Sequence, residues 1–358
     1  MDHDIPRARR LVGLWLAVWA GMVFLTVLIG GGTRLTESGL SITEWKPVSG
    51  VVPPLTHADW QAEFAKYQQI PEYQQLKRGM TLSEFKRIFL WEYVHRVWAR
   101  LVGLALLVPL VVFGLRSMLD PPIRRRLVGL LVLTSLQGAM GWYMVKSGLS
   151  MRIDVSQYRL AAHLSLALFV YVLAVWTAAD LLRGEPDAPH GAAGMRHGAA
   201  ALVALTFLTI VAGAFVAGLD AGKAYNTFPL MGGRVVPEGY LQLSPWWVNA
   251  FEHVPTVQFN HRLLGLATVM AALAFWGMSR RRPVPASARR LAGLAAVTAM
   301  LQAGLGITTL LLAVPVPIAM LHQAGAVTLL TVGVLALHSL RALPTAAAVP
   351  DLHRALEA

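Results

Sequence analysis

Four of the eleven histidines in this 358-residue chain recur at matched positions in two similar parts of the sequence. His95 and His261 are each followed by arginine near the start of an apolar run, in EYVHRVWARLVGL and QFNHRLLGLATV. His163 and His322 lie early in two later apolar runs, RLAAHLSLAL and AMLHQAGAVTLL. Two imidazoles on opposite faces of one flat macrocycle form a bis-histidine haem site. The pattern therefore predicts two paired sites suited to haem, His95 with His163 and His261 with His322.

One carboxylate distinguishes the first pair from the second. Glu92 precedes His95 by three residues, so a helix presents both side chains on one face. The equivalent residue before His261 is Gln258, which cannot ionise. This asymmetry predicts that the first site performs chemistry while the second only holds a cofactor. The alternative is structural, with Glu92 pairing with Arg96 or capping the start of a helix.

The histidines also allow less specific interpretations. A histidine at the mouth of an apolar helix is often an interfacial or hydrogen-bonded residue, and a His–Arg pair can serve as an outer anchor. Those roles need neither pairing nor repetition, which favours ligands at the four matched positions. Zinc is disfavoured because two histidines without a nearby cysteine or second carboxylate fall short of its usual four ligands. The remaining histidines have no repeat partner and are assigned no role: His3, His57, His190, His197, His253, His338 and His353.

Composition indicates that these residues lie in a membrane protein. Hydrophobic residues make up 56% of the chain and charged residues only 14%, too few to cover a soluble protein of this length. Apolar runs of about 20 residues, long enough to cross a bilayer as helices, recur along the chain. The net charge of +12 comes from Lys and Arg between these runs, which is typical of membrane orientation and not of nucleic-acid binding. Cysteine is absent, which excludes disulfides and thiolate metal sites.

Eight transmembrane helices can be marked in the sequence. They are predicted at 11–31, 94–115, 126–145, 159–180, 199–219, 260–279, 290–312 and 318–340. The first is longer than a signal-peptide core, so we expect a retained span in a bacterial inner membrane. Arginines concentrate before the first helix and after every even-numbered one, which predicts cytoplasmic termini and periplasmic connections at 32–93 and 220–259. Each matched histidine is then expected within the first turn or two of its span, near the periplasmic surface.

The two halves of the chain resemble each other. RRRLVGLLVLTSLQGAMG, from Arg124, aligns with ARRLAGLAAVTAMLQAGLG, from Ala288, with one residue inserted. Each half has an even number of spans, so both enter the membrane from the same side, as in a parallel repeat. We predict an all-α polytopic membrane protein with eight transmembrane helices arranged as two parallel-repeat four-helix bundles. The predicted units are a first bundle at 1–182, a cytoplasmic linker at 183–197, a second bundle at 198–342 and a cytoplasmic tail at 343–358.

The long periplasmic connections are too rich in Gly, Pro and Trp to be simple tethers. In the first, Thr81 to Glu84 form a capping-box pattern, which predicts a helix start before the next apolar-periodic run. We expect both connections to fold as lids that keep water from a hydrophobic ligand. The alternative is that they form interfacial helices lying on the membrane.

Several long motifs resemble the haem A synthase family. They are GGTRLTESGLSITEWKPVSG, PEYQQLKRGMTLSEFKRIFLWEYVHR, VAGLDAGKAYNTFPLMGG, FNHRLLG and LHQAGA. The resemblance runs from the first predicted span to the last and is to the cysteine-free kind shared by α-proteobacteria and mitochondria. Many other bacterial members carry cysteine pairs in the outer connections, so their absence here excludes a thiol as the electron input.

The resemblance implies an enzyme that oxidises the C8 methyl group of haem O, through a hydroxymethyl stage, to the formyl group of haem A for cytochrome oxidase. It implies a resident haem b on His261 and His322, a substrate haem on His95 and His163, and Glu92 as the family's essential carboxylate. Candidate partners beyond haem O and membrane lipid are haem O synthase, cytochrome oxidase assembly factors and a second copy of the chain. No nucleic acid is expected.

Three arginines are candidates for binding the propionates at the edge of a porphyrin. Arg96 and Arg262 each follow a matched histidine, and Arg34 opens the first periplasmic connection. Propionates need cationic partners, and all three lie at the expected level. Glu92 would act as a base or as a negative charge that stabilises developing positive charge on the substrate.

Two other functions are compatible with some of these features. A di-haem b electron-transfer protein would also use four histidines, but it needs haems near both membrane faces, and all four here are expected on one side. A transporter could also be built from parallel repeats, but transporters often carry broken helices at matched positions. Here Pro109 is the one proline well inside a predicted span, and it has no counterpart in the sixth span.

Overall fold

The computed structural model describes residues 7–46, 49–150, 153–183 and 193–341. Within these ranges the fold is helical, and the only β pairing is an isolated bridge between Met231 and Arg234. The eight helices long and apolar enough to cross a membrane are α1 (Arg7–Leu35), α4 (Leu82–Leu115), α5 (Pro121–Ser150), α6 (Gln157–Leu182), α7 (Ala193–Gly218), α9 (Val254–Arg281), α10 (Ala286–Leu311) and α11 (Val316–Ser339). Shorter helices in the connections are α2 (His57–Tyr67), α3 (Pro71–Leu76) and α8 (Asn249–Glu252). The prediction of an all-α membrane protein with eight spans is confirmed.

The first four long helices share one apolar core with α7 and α11 of the second half. α1 and α6 pack against each other and against α11, and α6 also packs against α7. Trp19 and Leu168 from the first half are therefore buried in the same cluster as Ile210 and Leu330 from the second. Large apolar side chains remain exposed on α5 and α10, as expected for surfaces that face lipid. The parallel repeat stays a prediction.

Helix α4 begins at Leu82 and not at residue 94, because its first turn is capped. The Thr81 hydroxyl accepts a hydrogen bond from the Glu84 backbone N–H at 3.3 Å, and the Glu84 carboxylate accepts one from the Thr81 N–H at 2.8 Å. This is the predicted capping box. At about 1.5 Å per residue a 34-residue helix exceeds a hydrocarbon core of about 30 Å. The expectation that every matched histidine lies in the first two turns is therefore wrong for His95, which follows the helix start by more than three turns.

The connection between α1 and α4, residues 36–81, forms what we term the first cap. Tyr67 and Ile70 of this cap are buried against Phe85 and Phe89 of α4, with other aromatic side chains packed around them. A second capping box, between Thr56 and Asp59, starts α2. Because the cap has a core in common with α4, its packing favours a lid over helices that lie free on a membrane surface.

The connection between α7 and α9, residues 219–253, forms the second cap and has little regular structure. Its central contact is the buried side chain of Asn249, which accepts from the Leu243 N–H at 2.8 Å and donates to the Leu243 and Trp246 carbonyls. At the predicted cytoplasmic side, α7 begins at Ala193, inside the predicted linker 183–197. Residues 184–192 of that linker and the predicted tail 343–358 lie outside the described residues.

Candidate functional site

The second histidine pair lies between α9 and α11. The ring centres of His261 and His322 are 6.5 Å apart, and the ring planes are inclined by 87°. Two imidazoles that ligate one metal ion from opposite sides, with metal–nitrogen bonds of about 2 Å, have ring centres roughly 6 Å apart. The separation therefore fits one iron between the rings. Within the described residues no group of three His, Asp or Glu could hold a metal ion. Each histidine pair would provide two nitrogen ligands to a haem iron, whose remaining ligands come from the macrocycle.

The first histidine pair brings together α4 and α6. His95 and His163 are close enough to interact electrostatically. The Nδ1 atoms of His95 and His261 are buried and have no hydrogen-bond partner among the described residues. Buried polar atoms normally find a partner, so each of these rings has a nitrogen available to a bound group.

The other ring of each pair is held by a glutamine. The Gln137 amide on α5 contacts Nδ1 of His163 at 3.1 Å and Nε2 at 3.3 Å, and it donates to the His163 carbonyl oxygen at 3.0 Å. The Gln302 amide on α10 contacts Nδ1 of His322 at 3.0 Å and donates to the His322 carbonyl oxygen at 2.8 Å. A polar partner on the second ring nitrogen orients a ligating imidazole, so both glutamines suit a supporting role.

Glu92 lies on α4 with only 2% of its surface exposed, and four donors surround it. Its Oε1 accepts from Nη2 and Nε of Arg96 at 2.6 and 3.0 Å. Its Oε2 accepts from the Ser41 hydroxyl at 2.7 Å and from the Ile42 backbone N–H at 2.8 Å. The ion pair expected by the structural alternative is therefore present, whereas a capping role is not, because α4 starts at Leu82.

Gln258 and Arg262 on α9 occupy the equivalent positions of the second half. Gln258 is buried and its amide donates to the Tyr225 carbonyl at 3.2 Å. Arg262 donates to the carbonyls of Tyr225 and Thr227, both at 2.9 Å. The contacts tie α9 to the second cap with neutral partners, so this position has no carboxylate for acid–base or electrostatic catalysis.

The three arginines predicted to bind propionates differ in how far their guanidinium groups are engaged. Besides Glu92, Arg96 donates to the Ile42 carbonyl at 2.9 Å and the Glu44 carbonyl at 3.2 Å. Arg34 forms an ion pair with Asp220 of the second cap at 2.9 Å. The Nε atoms of Arg34 and Arg262 are buried without a partner among the described residues. These two arginines therefore keep a buried donor available to an anionic group.

The first cap contains a second buried carboxyl group, Glu72. It is 6% exposed and accepts a hydrogen bond from the Tyr67 hydroxyl at 3.2 Å. Burial raises the pKa of Glu72 to about 7, although the Tyr67 hydrogen bond and the Lys77 charge oppose the shift. At the cap surface, the hydrogen bond from Lys77 lowers the pKa of Glu37. Glu72 therefore titrates near neutral pH, in the electrostatic field of Glu92.

The sequence points to the histidines, Glu92 and the arginines, but not to the groups that hold them. Ser41 contacts Glu92 across 51 residues of chain, and no local pattern marks that contact. Gln137 and Gln302 had a usable signal, since each precedes a glycine by four residues within the aligned repeat segments.

The chain matches known proteins along most of its length. The family model COX15-CtaA, described as Cytochrome oxidase assembly protein, matches residues 13–334. The chain is similar to Heme A synthase of Rhodospirillum centenum, with 51% identity over 336 residues, covering 93% of the chain and 89% of the relative. Heme A synthase of Nitrosospira multiformis is 46% identical over 92% of the chain and 93% of the relative. Heme A synthase COX15 of Bos taurus is 45% identical over 94% of the chain and 84% of the relative.

Proposed function

The chain belongs to the COX15-CtaA family of haem A synthases, and from this membership we propose how its residues convert haem O to haem A. It is a multi-pass membrane oxidoreductase. The proposed reaction oxidises the C8 methyl group of haem O to a formyl group, through a hydroxymethyl stage, to supply cytochrome oxidase. The observation that carries the proposal is that two similar histidine pairs differ in one buried carboxylate, Glu92.

We assign haem O, the substrate, to His95 and His163, and a resident haem b to His261 and His322. The 6.5 Å separation of the second pair and the buried Nδ1 of one ring in each pair support this assignment. A bis-histidine haem, when bound, supplies one-electron redox chemistry. The chain's own part is to hold the rings, and Gln137 and Gln302 do so through His163 and His322.

Glu92 serves the substrate site as a fixed negative charge. Arg96, Ser41 and the Ile42 N–H already occupy both of its oxygens, so the carboxylate is held rigidly. A charge fixed in a water-poor site stabilises positive charge that develops on a reacting carbon. Action as a base would first require one of these donors to move away. The contacts therefore support the electrostatic role over the general base.

The arginines divide between two tasks. Arg34 and Arg262 keep a buried Nε donor and are the better candidates for propionates. Arg96, the third candidate, has its guanidinium engaged with Glu92 and two carbonyls of the first cap. In this assignment Arg96 positions the carboxylate and the cap.

The proposed setting is a bacterial inner membrane with both termini in the cytoplasm and both haem sites towards the periplasm. Its support is the cluster of Arg9, Arg126 and Arg341 around Asp180, at the helix ends opposite the caps. Beyond haem O and lipid, the expected partners are haem O synthase and cytochrome oxidase assembly factors.

Haem extraction and chromatography of purified His→Ala variants test the assignment. His261→Ala and His322→Ala are expected to lose haem b. His95→Ala and His163→Ala are expected to keep haem b but to form no haem A. His57→Ala is the matched control, because His57 is exposed at the start of α2 and belongs to neither pair.

Two results would contradict the proposal. Loss of haem b from His95→Ala with retention in His261→Ala would reverse the two sites. A wild-type protein that carries only haem b, in cells whose haem A does not depend on it, would refute the reaction itself.

A further inference from the structure

Each of the four histidine rings rests on a glycine of a neighbouring helix. The contacts are Gly30 of α1 with His95, Gly141 of α5 with His163, Gly213 of α7 with His261 and Gly306 of α10 with His322. A methyl group added to these glycines would lie 3.0, 3.2, 3.1 and 2.8 Å, respectively, from the Cε1 atom of the ring. Carbon atoms in ordinary contact are about 3.5–4.0 Å apart. The imidazole edge therefore occupies space that the side chain of any other residue would fill.

The contact is a property of these glycines and not of the helices that carry them. Gly21, Gly138 and Gly304 lie on α1, α5 and α10, the helices of Gly30, Gly141 and Gly306. A methyl group on any of these three would meet no described atom within 4 Å.

Two of the four glycines also follow a repeated spacing. Gly141 and Gly306 each come four residues after a glutamine, Gln137 or Gln302. Four residues are about one helical turn, so the glutamine and the glycine share a face. On that face the amide contacts the ring nitrogen and the glycine contacts the Cε1 edge. His163 and His322 are thus held at two points of the ring.

We propose that Gly30, Gly141, Gly213 and Gly306 are positioning residues that seat the four imidazoles for axial ligation of haem. The proposal rests on the assignment of the four histidines as haem ligands. Four helices that carry no ligand then have a defined part in the sites. Helices α1 and α5 position the first histidine pair, and α7 and α10 position the second.

The physical reason is that a closely packed imidazole ring has little room to move. A methyl group at Gly306 must displace or rotate the His322 ring, because close-packed interiors have few voids to absorb it. Metal ligation tolerates distance changes of only about 0.2 Å. A merely structural glycine predicts the opposite result, since alanine is the better helix former and would stabilise α10.

The second half supplies the test for the resident haem. Purified full-length Gly306→Ala is compared with Gly304→Ala for haem content, for transfer of haem to apomyoglobin and for the electron paramagnetic resonance spectrum of the ferric haem. Gly306→Ala is expected to hold haem roughly 10- to 100-fold more weakly, as for other losses of support around a metal ligand. Its spectrum, which depends on the relative orientation of the two rings, should also shift. Gly304→Ala should match wild type in all three measurements.

The first half supplies the same test with an internal control for folding. Gly141→Ala should keep haem b on His261 and His322, which reports an intact protein, while haem A output and retention of added haem O decrease. Gly138→Ala should retain both. Wild-type haem behaviour in both Gly306→Ala and Gly141→Ala would overturn the proposal.

Two further variants keep the result interpretable. Should Gly306→Ala fail to fold, Gly213→Ala tests the partner ring of the same pair, with a milder 3.1 Å contact. His322→Ala separates the glycine proposal from the haem assignment. If it loses haem b while both glycine variants keep wild-type spectra, only the glycine proposal is wrong, whereas retention of haem b by His322→Ala refutes the assignment beneath it.

Discussion

The outer parts of α4 and α9 carry the same anchoring arrangement with a different charge. Arg96 and Arg262 both bind carbonyl groups of their own cap, at distances of 2.9–3.2 Å. Four residues earlier, one helix turn away, Arg96 faces Glu92 whereas Arg262 faces Gln258. The arginine therefore anchors the cap in both halves, and the residue opposite it decides whether a buried negative charge is present.

The same contrast extends through the two caps. The buried polar residues near the first site include two carboxyl groups, Glu72 and Glu92. Those described around the second site are neutral: Asn249, Thr256 and Gln258. A charge that is costly to bury and serves no packing purpose is expected where chemistry occurs. This difference supports assigning catalysis to the first half and cofactor binding to the second.

Exchanging Glu92 for glutamine makes the first half resemble the second, and it should have the largest effect of the predicted changes, a loss of haem A formation. Glu92→Gln keeps the size of the side chain but removes the charge. We expect haem A formation to fall roughly 10²- to 10³-fold, with haem O or a hydroxylated intermediate accumulating. Chromatography of extracted haems measures this directly, and haem b content should stay at the wild-type level.

The reciprocal change, Gln258→Glu, is the matched control. It places a carboxylate beside Arg262 without creating a second catalytic site, so haem A formation should not increase. Normal haem A output from Glu92→Gln would remove Glu92 from the mechanism and with it the functional contrast between the halves.

Removing Arg96 should destabilise the protein more than removing Arg262, because only Arg96 is paired with a buried charge. Arg96→Gln leaves Glu92 buried without its counter-ion, which should cost about 3–5 kcal/mol of stability. Arg262→Gln loses hydrogen bonds to two carbonyls beside a neutral amide and should cost about 1–3 kcal/mol. Thermal unfolding in detergent compares the two variants.

The double variant Glu92→Gln/Arg96→Gln sharpens this prediction, because it removes the unpaired charge. It should recover much of the stability lost in Arg96→Gln but none of the haem A output. Equal costs for Arg96→Gln and Arg262→Gln would mean that the Glu92 charge is not the source of the difference.

Glu72 offers a pH-dependent test of the first cap alone. Its pKa is raised by burial to about 7, so the folded cap favours the protonated carboxyl. The contribution of Glu72 to the unfolding free energy of the cap should therefore be fully present below its ordinary pKa of about 4.5 and be lost as pH rises through about 7. Glu72→Gln mimics the protonated form, so at pH 8 it should be more stable than wild type by about 3 kcal/mol, with little difference at pH 4.

Hydrogen exchange of the α2 and α3 amides reports this local stability. The second cap provides the control, since no carboxyl group is buried among its described residues and its exchange should not respond to Glu72→Gln. A stability of the first cap that rises between pH 5 and pH 8 would mean that the folded cap favours the ionised carboxylate of Glu72, the opposite of the expected direction.

Much of the fold was predictable because a bilayer demands long apolar helices, and each of the eight leaves that signature in hydropathy. Hydropathy did not predict the outer turns of α4, because Phe85 and Phe89 are buried by the first cap. Hydropathy cannot distinguish burial by a cap from contact with lipid. The Thr81–Glu84 capping box did mark the true helix start.

For the site, the repeat identified the four histidines, and the difference between the halves at Glu92 and Gln258 identified the carboxylate. The role of Ser41 could not be predicted from the sequence, because its contact with Glu92 depends on how the first cap folds back on α4. Gly141 and Gly306 could have been found from their spacing after a glutamine, but glycine is common in membrane helices, and only the contact with a ring separates Gly306 from Gly304.

The smallest effect is expected where the two halves meet at the surface. Arg34 of α1 pairs with Asp220 of the second cap at 2.9 Å, and the Asp220 side chain is 51% exposed. Asp220→Asn should lower stability by less than about 1 kcal/mol, and high salt should abolish the difference from wild type. Asparagine tolerates the left-handed backbone of this residue, with φ of 51°, so the variant adds no strain.

Glu238→Gln is the control, because the Arg234–Glu238 pair lies within the second cap alone. A loss of several kcal/mol in Asp220→Asn but not in Glu238→Gln would mean that the ion pair, and not the common apolar core of α1, α6, α7 and α11, holds the two halves together.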